Sequence, residues 1–114
     1  RLMDGSSNPY LLQAGVIAAG LHGLNNKINP GEPLSCNMYT DYKNYPHLKK
    51  LPNEIQDALE FLHNSKELEE AFSKEVITSY IKLKNMEIED FNKNEKFDKK
   101  SSVTHWEKNS TLDC

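Results

Sequence analysis

The stretch from Asn8 to Gly23, NPYLLQAGVIAAGLHG, constrains the fold of this chain more than any other. Asn8 can accept hydrogen bonds from the first free amides of a helix, and Pro9 suits the first helical position because its missing N–H is no loss there. Gln13 is the only strongly polar residue before His22, so no solvent-facing side can be drawn at a period of 3.6 residues. The sequence therefore predicts a helix that starts at Pro9 and is buried on nearly every side.

The length of this helix and its small residues both indicate a core element. About 15 residues at roughly 1.5 Å per residue span about 22 Å, whereas a bilayer core needs about 30 Å. Small side chains allow other backbone to approach closely, which would offset a helix-propensity cost of about 1 kcal/mol for each internal glycine. They are Ala14, Gly15, Ala18, Ala19 and Gly20. We therefore expect close packing around the helix and no membrane span.

A long polar passage follows this helix. Residues 25–52 contain four of the five prolines, which favours irregular backbone, and a loop of this length usually covers another surface. We expect it to dock through its larger apolar and aromatic side chains, namely Ile28, Leu34, Met38, Tyr39 and Tyr42.

Short amphipathic helices are predicted after the loop. From Asn53 onward, apolar residues recur at i, i+3, i+4 and i+7, which is typical of one helical face. Asn64 or Ser65 can cap a second short helix, KELEEAF, and Ser73 can cap the longest one, predicted over 74–91 with charged remaining faces. The apolar positions of these three helices are Ile55, Ala58, Leu59 and Leu62, then Leu68, Ala71 and Phe72, then Val76, Ile77, Tyr80, Ile81, Ile88 and Phe91.

The end of the chain carries a capping pattern. Residues 92–100 read as a charged connector, and Thr104 followed by Glu107 fits a capping box, which predicts a tail helix within 104–114. Trp106, the only tryptophan, could anchor on a neighbouring subunit or pack on its own subunit, and the sequence leaves both open. No segment alternates like a half-buried strand, so the fold class is mainly α.

Composition and charge exclude several classes of function. The hydrophobic fraction of 37% is below the roughly 45–50% of globular domains, so a self-sufficient domain is not expected. The net charge of −3 argues against a nucleic-acid binder. The chain starts shortly before a core helix without an initiator Met or a signal peptide, so we expect a C-terminal piece of a larger cytoplasmic protein, with Cys36 and Cys114 reduced.

Few residues are candidates for chemistry. The four histidines are scattered without metal-ligand spacing, so a metal site built from this chain alone is not expected, and His22 is better placed to stabilise a helix dipole. Arg1 is the only arginine, and a guanidinium binds carboxylate or phosphate through two parallel hydrogen bonds. From the residues alone, Arg1 is either an anion-binding group or a plain surface arginine.

Three motifs resemble the C-terminal part of the glutamine synthetase catalytic domain. In that family a segment of the form R-x-P-D-x-x-x-N-P-Y-L opens a buried helix ending in A-G-L-x-G, and a K-I-x-P-G loop follows. Here the matching segments are RLMDGSSNPYL at 1–11, AAGLHG at 18–23 and KINPGEP at 27–33. The tail VTHWE at 103–107 with TLDC at 111–114 is similar to a divergent, type III-like branch. Met3 departs from the proline of many members, which leaves the substrate amine in doubt.

The resemblance implies that residues 1–114 are the helical C-terminal portion of an α+β ligase domain. Such enzymes use ATP and Mg²⁺ or Mn²⁺ to phosphorylate glutamate, and ammonia then displaces phosphate from the γ-glutamyl phosphate. Arg1 corresponds to the arginine of the family's E-x-R motif, which binds the transferred phosphoryl group or the substrate carboxylate. The metal ligands and the nucleotide pocket would lie upstream, and the family assembles as homo-oligomeric rings.

Alternatives of other classes stay open at this point. A relative of this kind may join glutamate to methylamine or another amine instead of ammonia. A non-catalytic helical oligomerisation module is the third possibility, and it would require the short later helices to cover the apolar first helix. Their stripes are too narrow for that, so we expect the isolated chain to be inactive and to expose apolar surface.

Overall fold

The computed structural model describes residues 7–94 and 103–110, and within these ranges the chain is helical with irregular connections. The helices are α1 (Pro9–Asn25), α2 (Met38–Asp41), α3 (Ile55–Asn64), α4 (Lys66–Phe72), α5 (Lys74–Asn94) and α6 (His105–Ser110), and a single 3₁₀ turn covers Tyr42–Asn44. None of the described residues forms a strand. The prediction of a mainly α fold for this stretch is confirmed.

The start of α1 is the one that the sequence predicts. The Asn8 side chain accepts hydrogen bonds from the amides of Tyr10 at 3.0 Å and Leu11 at 3.1 Å. Pro9 occupies the first helical position. Two of the orphan amides of the first turn are therefore satisfied by one side chain.

The end of α1 lies two residues beyond the predicted end at Gly23. The amide of Ile28 donates to the carbonyl of Gly23 at 2.9 Å, and the amide of Lys27 donates to Leu24 at 3.2 Å. These two bonds form a Schellman motif, which requires its penultimate residue to adopt the left-handed conformation. Lys27 adopts it with φ 51°, a position that glycine usually fills.

The prediction that α1 is buried on nearly every side is wrong for this chain. No residue of α1 is buried, and Tyr10, Ile17, Leu21 and Leu24 are 83%, 62%, 54% and 76% exposed. A Cβ added at Gly15, Gly20 or Gly23 would meet nothing within 4 Å, so the small residues are not in close contact with other backbone. The physical reason is that α4 is the main helical partner of α1 among the described residues, and one short helix covers only one side.

The remaining helices pack as neighbours in sequence. Ser65 caps α4 by accepting from the Leu68 amide at 3.3 Å, and α4 contacts α1 on one side and α5 on the other. Helix α3 packs against α5, and this contact contains the two buried apolar side chains of the described residues, Leu59 and Ile77. At the corner between α4 and α5, Ser73 has φ 72° and ψ 155°, a strained conformation for a residue with a Cβ.

Helix α5 differs from its prediction in length and in its faces. It continues to Asn94, three residues past the predicted end at Phe91. Leu83 is 52% exposed and Met86 is 59% exposed, so the faces away from the core are not only charged. The sequence-based description of this helix missed that second apolar stripe.

The loop after α1 does not dock as predicted. Its expected anchors Ile28, Leu34, Met38, Tyr39 and Tyr42 are between 40% and 90% exposed. Part of the passage forms α2 and the 3₁₀ turn, which were not predicted. The Asn37 side chain caps α2 by accepting from the Tyr39 amide at 3.1 Å, and this local bond makes a short helix possible in an otherwise irregular segment.

The tail helix α6 returns to the end of α5. Thr104 and Glu107 form the predicted capping box: the Glu107 amide donates to Thr104 Oγ1 at 3.1 Å, and the Thr104 amide donates to Glu107 Oε2 at 2.6 Å. Trp106 Nε1 donates to Asp90 Oδ2 at 2.6 Å, and its ring meets Phe91 edge to face at 5.4 Å. Trp106 thus packs on its own subunit, although the sequence left its partner open.

The described helices do not enclose a large core. The Cα radius of gyration is 16.8 Å, whereas a compact domain of this length would have about 13 Å. This open arrangement agrees with the low hydrophobic fraction of 37%. The described residues bury little apolar surface, and α1 contains no buried residue.

Candidate functional site

The candidate catalytic residue lies outside the described residues. Arg1 precedes Ser7, the first residue that the structure describes, so the geometry of its guanidinium is not part of the described structure. The structure does describe the element that directly follows this segment. Asn8 and Pro9 fix the first turn of α1, and the Leu12 amide donates to the Asn8 carbonyl at 2.9 Å. The chain that carries Arg1 therefore leads into a rigid helix start.

Polar groups lie at the ends of α1 and α4 that face each other, namely His22 and Asn26 at the end of α1 and Ser65 and Glu67 at the start of α4. The pKa of Glu67 is lowered, first by its own backbone N–H, then by the Ser65 hydroxyl, and also by the nearby His22 ring. The Asn26 side chain holds His22 from the other side, donating to the His22 carbonyl at 2.9 Å and lying 3.2 Å from ring Nδ1. Since these groups are exposed or half-buried and are bound to helix ends, they serve helix packing and capping.

A small cluster of sulfur and aromatic groups lies in the loop after α1. The Cys36 thiol is free and lies 3.6 Å from the Met38 sulfur. A hydrogen bond with the Cys36 thiol raises the pKa of the Tyr45 hydroxyl, and the Tyr45 ring meets His47 edge to face at 6.2 Å. Cys114, the other cysteine, lies outside the described residues. Among the described residues, the hydrogen bonds of the Cys36 thiol are with Met38 and Tyr45, and neither side chain is a base that would activate the thiol as a nucleophile.

Two shallow grooves flank α3. One is lined by Lys50, Pro52, Asp57, Glu60, Phe61 and Asn64. The other lies between α3 and α5 and is lined by His63, Thr78, Ile81, Lys82, Asn85, Met86 and Glu89. Both are open to solvent and their charged groups point to no single reaction, so neither resembles an enclosed catalytic pocket.

A metal centre and a membrane span are two further kinds of site that a helical chain can carry. Within 7–94 and 103–110, no three His, Cys, Asp or Glu side chains are grouped so that they could hold a metal ion. The same ranges contain no helix that is long and apolar enough to cross a bilayer.

The described residues form a helical arrangement whose most apolar helix, α1, has no buried residue, which is typical of a portion of a larger domain. The family model for the glutamine synthetase catalytic domain matches residues 1–107. The chain belongs to the glutamine synthetase family.

Individual relatives support this assignment over nearly the whole chain. Glutamine synthetase from Rhizobium meliloti is 41% identical over 113 residues, which cover 99% of this chain and 24% of the relative. Gamma-glutamylethanolamide synthetase from Streptomyces coelicolor is 35% identical over 107 residues, which cover 94% of this chain and 20% of the relative. Glutamate–methylamine ligase from Methyloversatilis universalis is 33% identical over 117 residues, which cover 99% of this chain and 24% of the relative.

The chain therefore spans about a quarter of the length of the curated relatives that it matches. No solved structure matches it. The match to the catalytic domain includes Arg1 and the start of α1, and it extends through Glu107 of the tail helix. The family resemblance that the motifs indicated is thus confirmed, whereas the role of Arg1 stays a prediction.

Proposed function

We propose that this chain is the C-terminal portion of an ATP-dependent ligase that forms glutamine from glutamate and ammonia through a γ-glutamyl phosphate. The observation that carries the proposal is the match of residues 1–107 to the glutamine synthetase catalytic domain. The rest of that domain would supply the divalent cations, the nucleotide pocket and the ammonia site. By itself the chain would be inactive, because one arginine cannot organise a nucleotide and its metal ions.

Arg1 is the residue of this chain that we propose to take part in the reaction. Its guanidinium would donate two parallel hydrogen bonds to the transferred phosphoryl group or to the substrate carboxylate. Fixed donors of this kind stabilise negative charge that develops in the transition state. The start of α1, held by Asn8, would position the segment that carries Arg1.

A chimera tests the proposal. In it, the region of the Rhizobium meliloti glutamine synthetase that matches this chain is replaced by residues 1–114, so that the host supplies the remaining three quarters of its length. We expect ATP-dependent glutamine formation by the chimera and none by the isolated chain. We also propose that the complete protein is a homo-oligomer in rings, so the chimera should assemble like its host.

Paired variants of the chimera test Arg1 itself. Arg1→Gln should lower kcat by about 100-fold or more, because it removes donors that act in the transition state. Lys82→Gln removes one positive charge from the exposed side of α5 and should leave kcat unchanged. An Arg1→Gln chimera that retains full activity would refute the role of Arg1, and an assembled but inactive parent chimera would favour a non-catalytic helical module.

A second reaction is favoured by two of the relatives. One is named as a gamma-glutamylethanolamide synthetase and the other as a glutamate–methylamine ligase, so family membership allows amines other than ammonia. The chimera should therefore be assayed with ammonia, methylamine and ethanolamine. A shift of kcat/KM from ammonia toward methylamine or ethanolamine would place an amine determinant within residues 1–114. An unchanged preference would place the determinant in the remaining three quarters of the domain.

A further inference from the structure

We draw no further inference here: the strongest candidate, the side-chain cluster of Cys36, Met38 and Tyr45 in the loop after α1, contains a single cysteine whose hydrogen bonds lie within the cluster, and nothing in the described residues points to a ligand for it.

Discussion

Single residues in strained conformations mark the corners of this chain. Lys27 ends α1 with φ 51° and Ser73 joins α4 to α5 with φ 72°, and both are conformations in which a Cβ is unfavourable. Neither residue type signals a positive φ in the sequence, because lysine and serine are ordinary surface residues. The Schellman bonds from Lys27 and Ile28 hold the first corner in spite of this cost.

Replacing Lys27 with glycine should strengthen the end of α1. Glycine adopts the left-handed conformation without the Cβ penalty. We therefore expect the Schellman motif to be stabilised by about 1 kcal/mol against local opening. The amide of Ile28, which donates to Gly23, should then exchange with solvent about fivefold more slowly. Lys82→Gly in the middle of α5 is the control and should destabilise its helix by about 1 kcal/mol. Faster hydrogen exchange at the Ile28 amide would contradict the assignment of a Schellman motif to the end of α1.

At the scale of elements, α6 is held at its start and against α5. Two reciprocal hydrogen bonds between Thr104 and Glu107 hold its start, and Trp106 contacts Asp90 and Phe91 of α5. The capping box stabilises the helix start, whereas the tryptophan determines where the helix docks.

The capping box should weaken at acid pH. The Thr104 amide, followed by the Thr104 hydroxyl, lowers the pKa of Glu107 below its ordinary value of 4.5. Because the folded pKa is lower than the unfolded one, the box contributes stability above about pH 4.5, and this stability is lost as the pH falls through the folded pKa. The Thr104 amide proton shift, followed by NMR, should titrate in that acid range. The titration should be absent in Glu107→Gln, and its persistence there would point to another group.

The contact between α6 and α5 should be reported by the only tryptophan. Asp90→Asn keeps the size of the side chain but removes the charge that accepts the indole N–H, so we expect a loss of about 1 kcal/mol in docking of α6. The fluorescence maximum of Trp106 should shift to longer wavelength as the ring becomes more exposed. Asp57→Asn, on the exposed side of α3, is the control and should leave the spectrum unchanged. An unchanged spectrum in Asp90→Asn would show that the charge of Asp90 is not needed to hold the ring.

The features that the sequence predicts well are those set by a few adjacent residues. The Asn8–Pro9 start, the Ser65 cap and the Thr104–Glu107 box depend on groups no more than three residues apart. The partner of Trp106 lies 16 residues away and follows only from the structure. Burial of α1 was predicted from its own composition, but burial also depends on what surrounds a helix. The predicted role of Arg1 rests on the family resemblance, because no local sequence pattern distinguishes a phosphate-binding arginine from a surface one.

At the scale of the whole molecule, the chain is best understood as one layer of a larger domain. Helix α4 contacts both α1 and α5, α3 also contacts α5, and most of α1 remains exposed. The radius of gyration of 16.8 Å exceeds the roughly 13 Å of a compact domain of this length.

Gly20→Ala should have different effects in the chain and in the chimera. In the isolated chain an added Cβ meets nothing within 4 Å, so alanine should stabilise α1 by about 1 kcal/mol through helix propensity. In the chimera, where we expect the host's part of the domain to pack against α1, the same methyl group would overfill the contact, and the gain should vanish or become a loss. Thermal melts followed by circular dichroism would measure both effects. Equal stabilisation in the two proteins would mean that Gly20 faces solvent in each.

The contact between α1 and α4 can form only after α4 has been synthesised. About 40 residues separate the end of α1 from the start of α4, which at roughly 5–20 residues per second is a delay of a few seconds on the ribosome. Throughout that interval α1 has neither α4 nor any later helix beside it. In the complete ligase that we propose, the upstream part of the domain is translated first, so α1 can contact it on emerging and α4 packs against α1 later. A chain made without that upstream part would present an uncharged helix to chaperones for the whole interval.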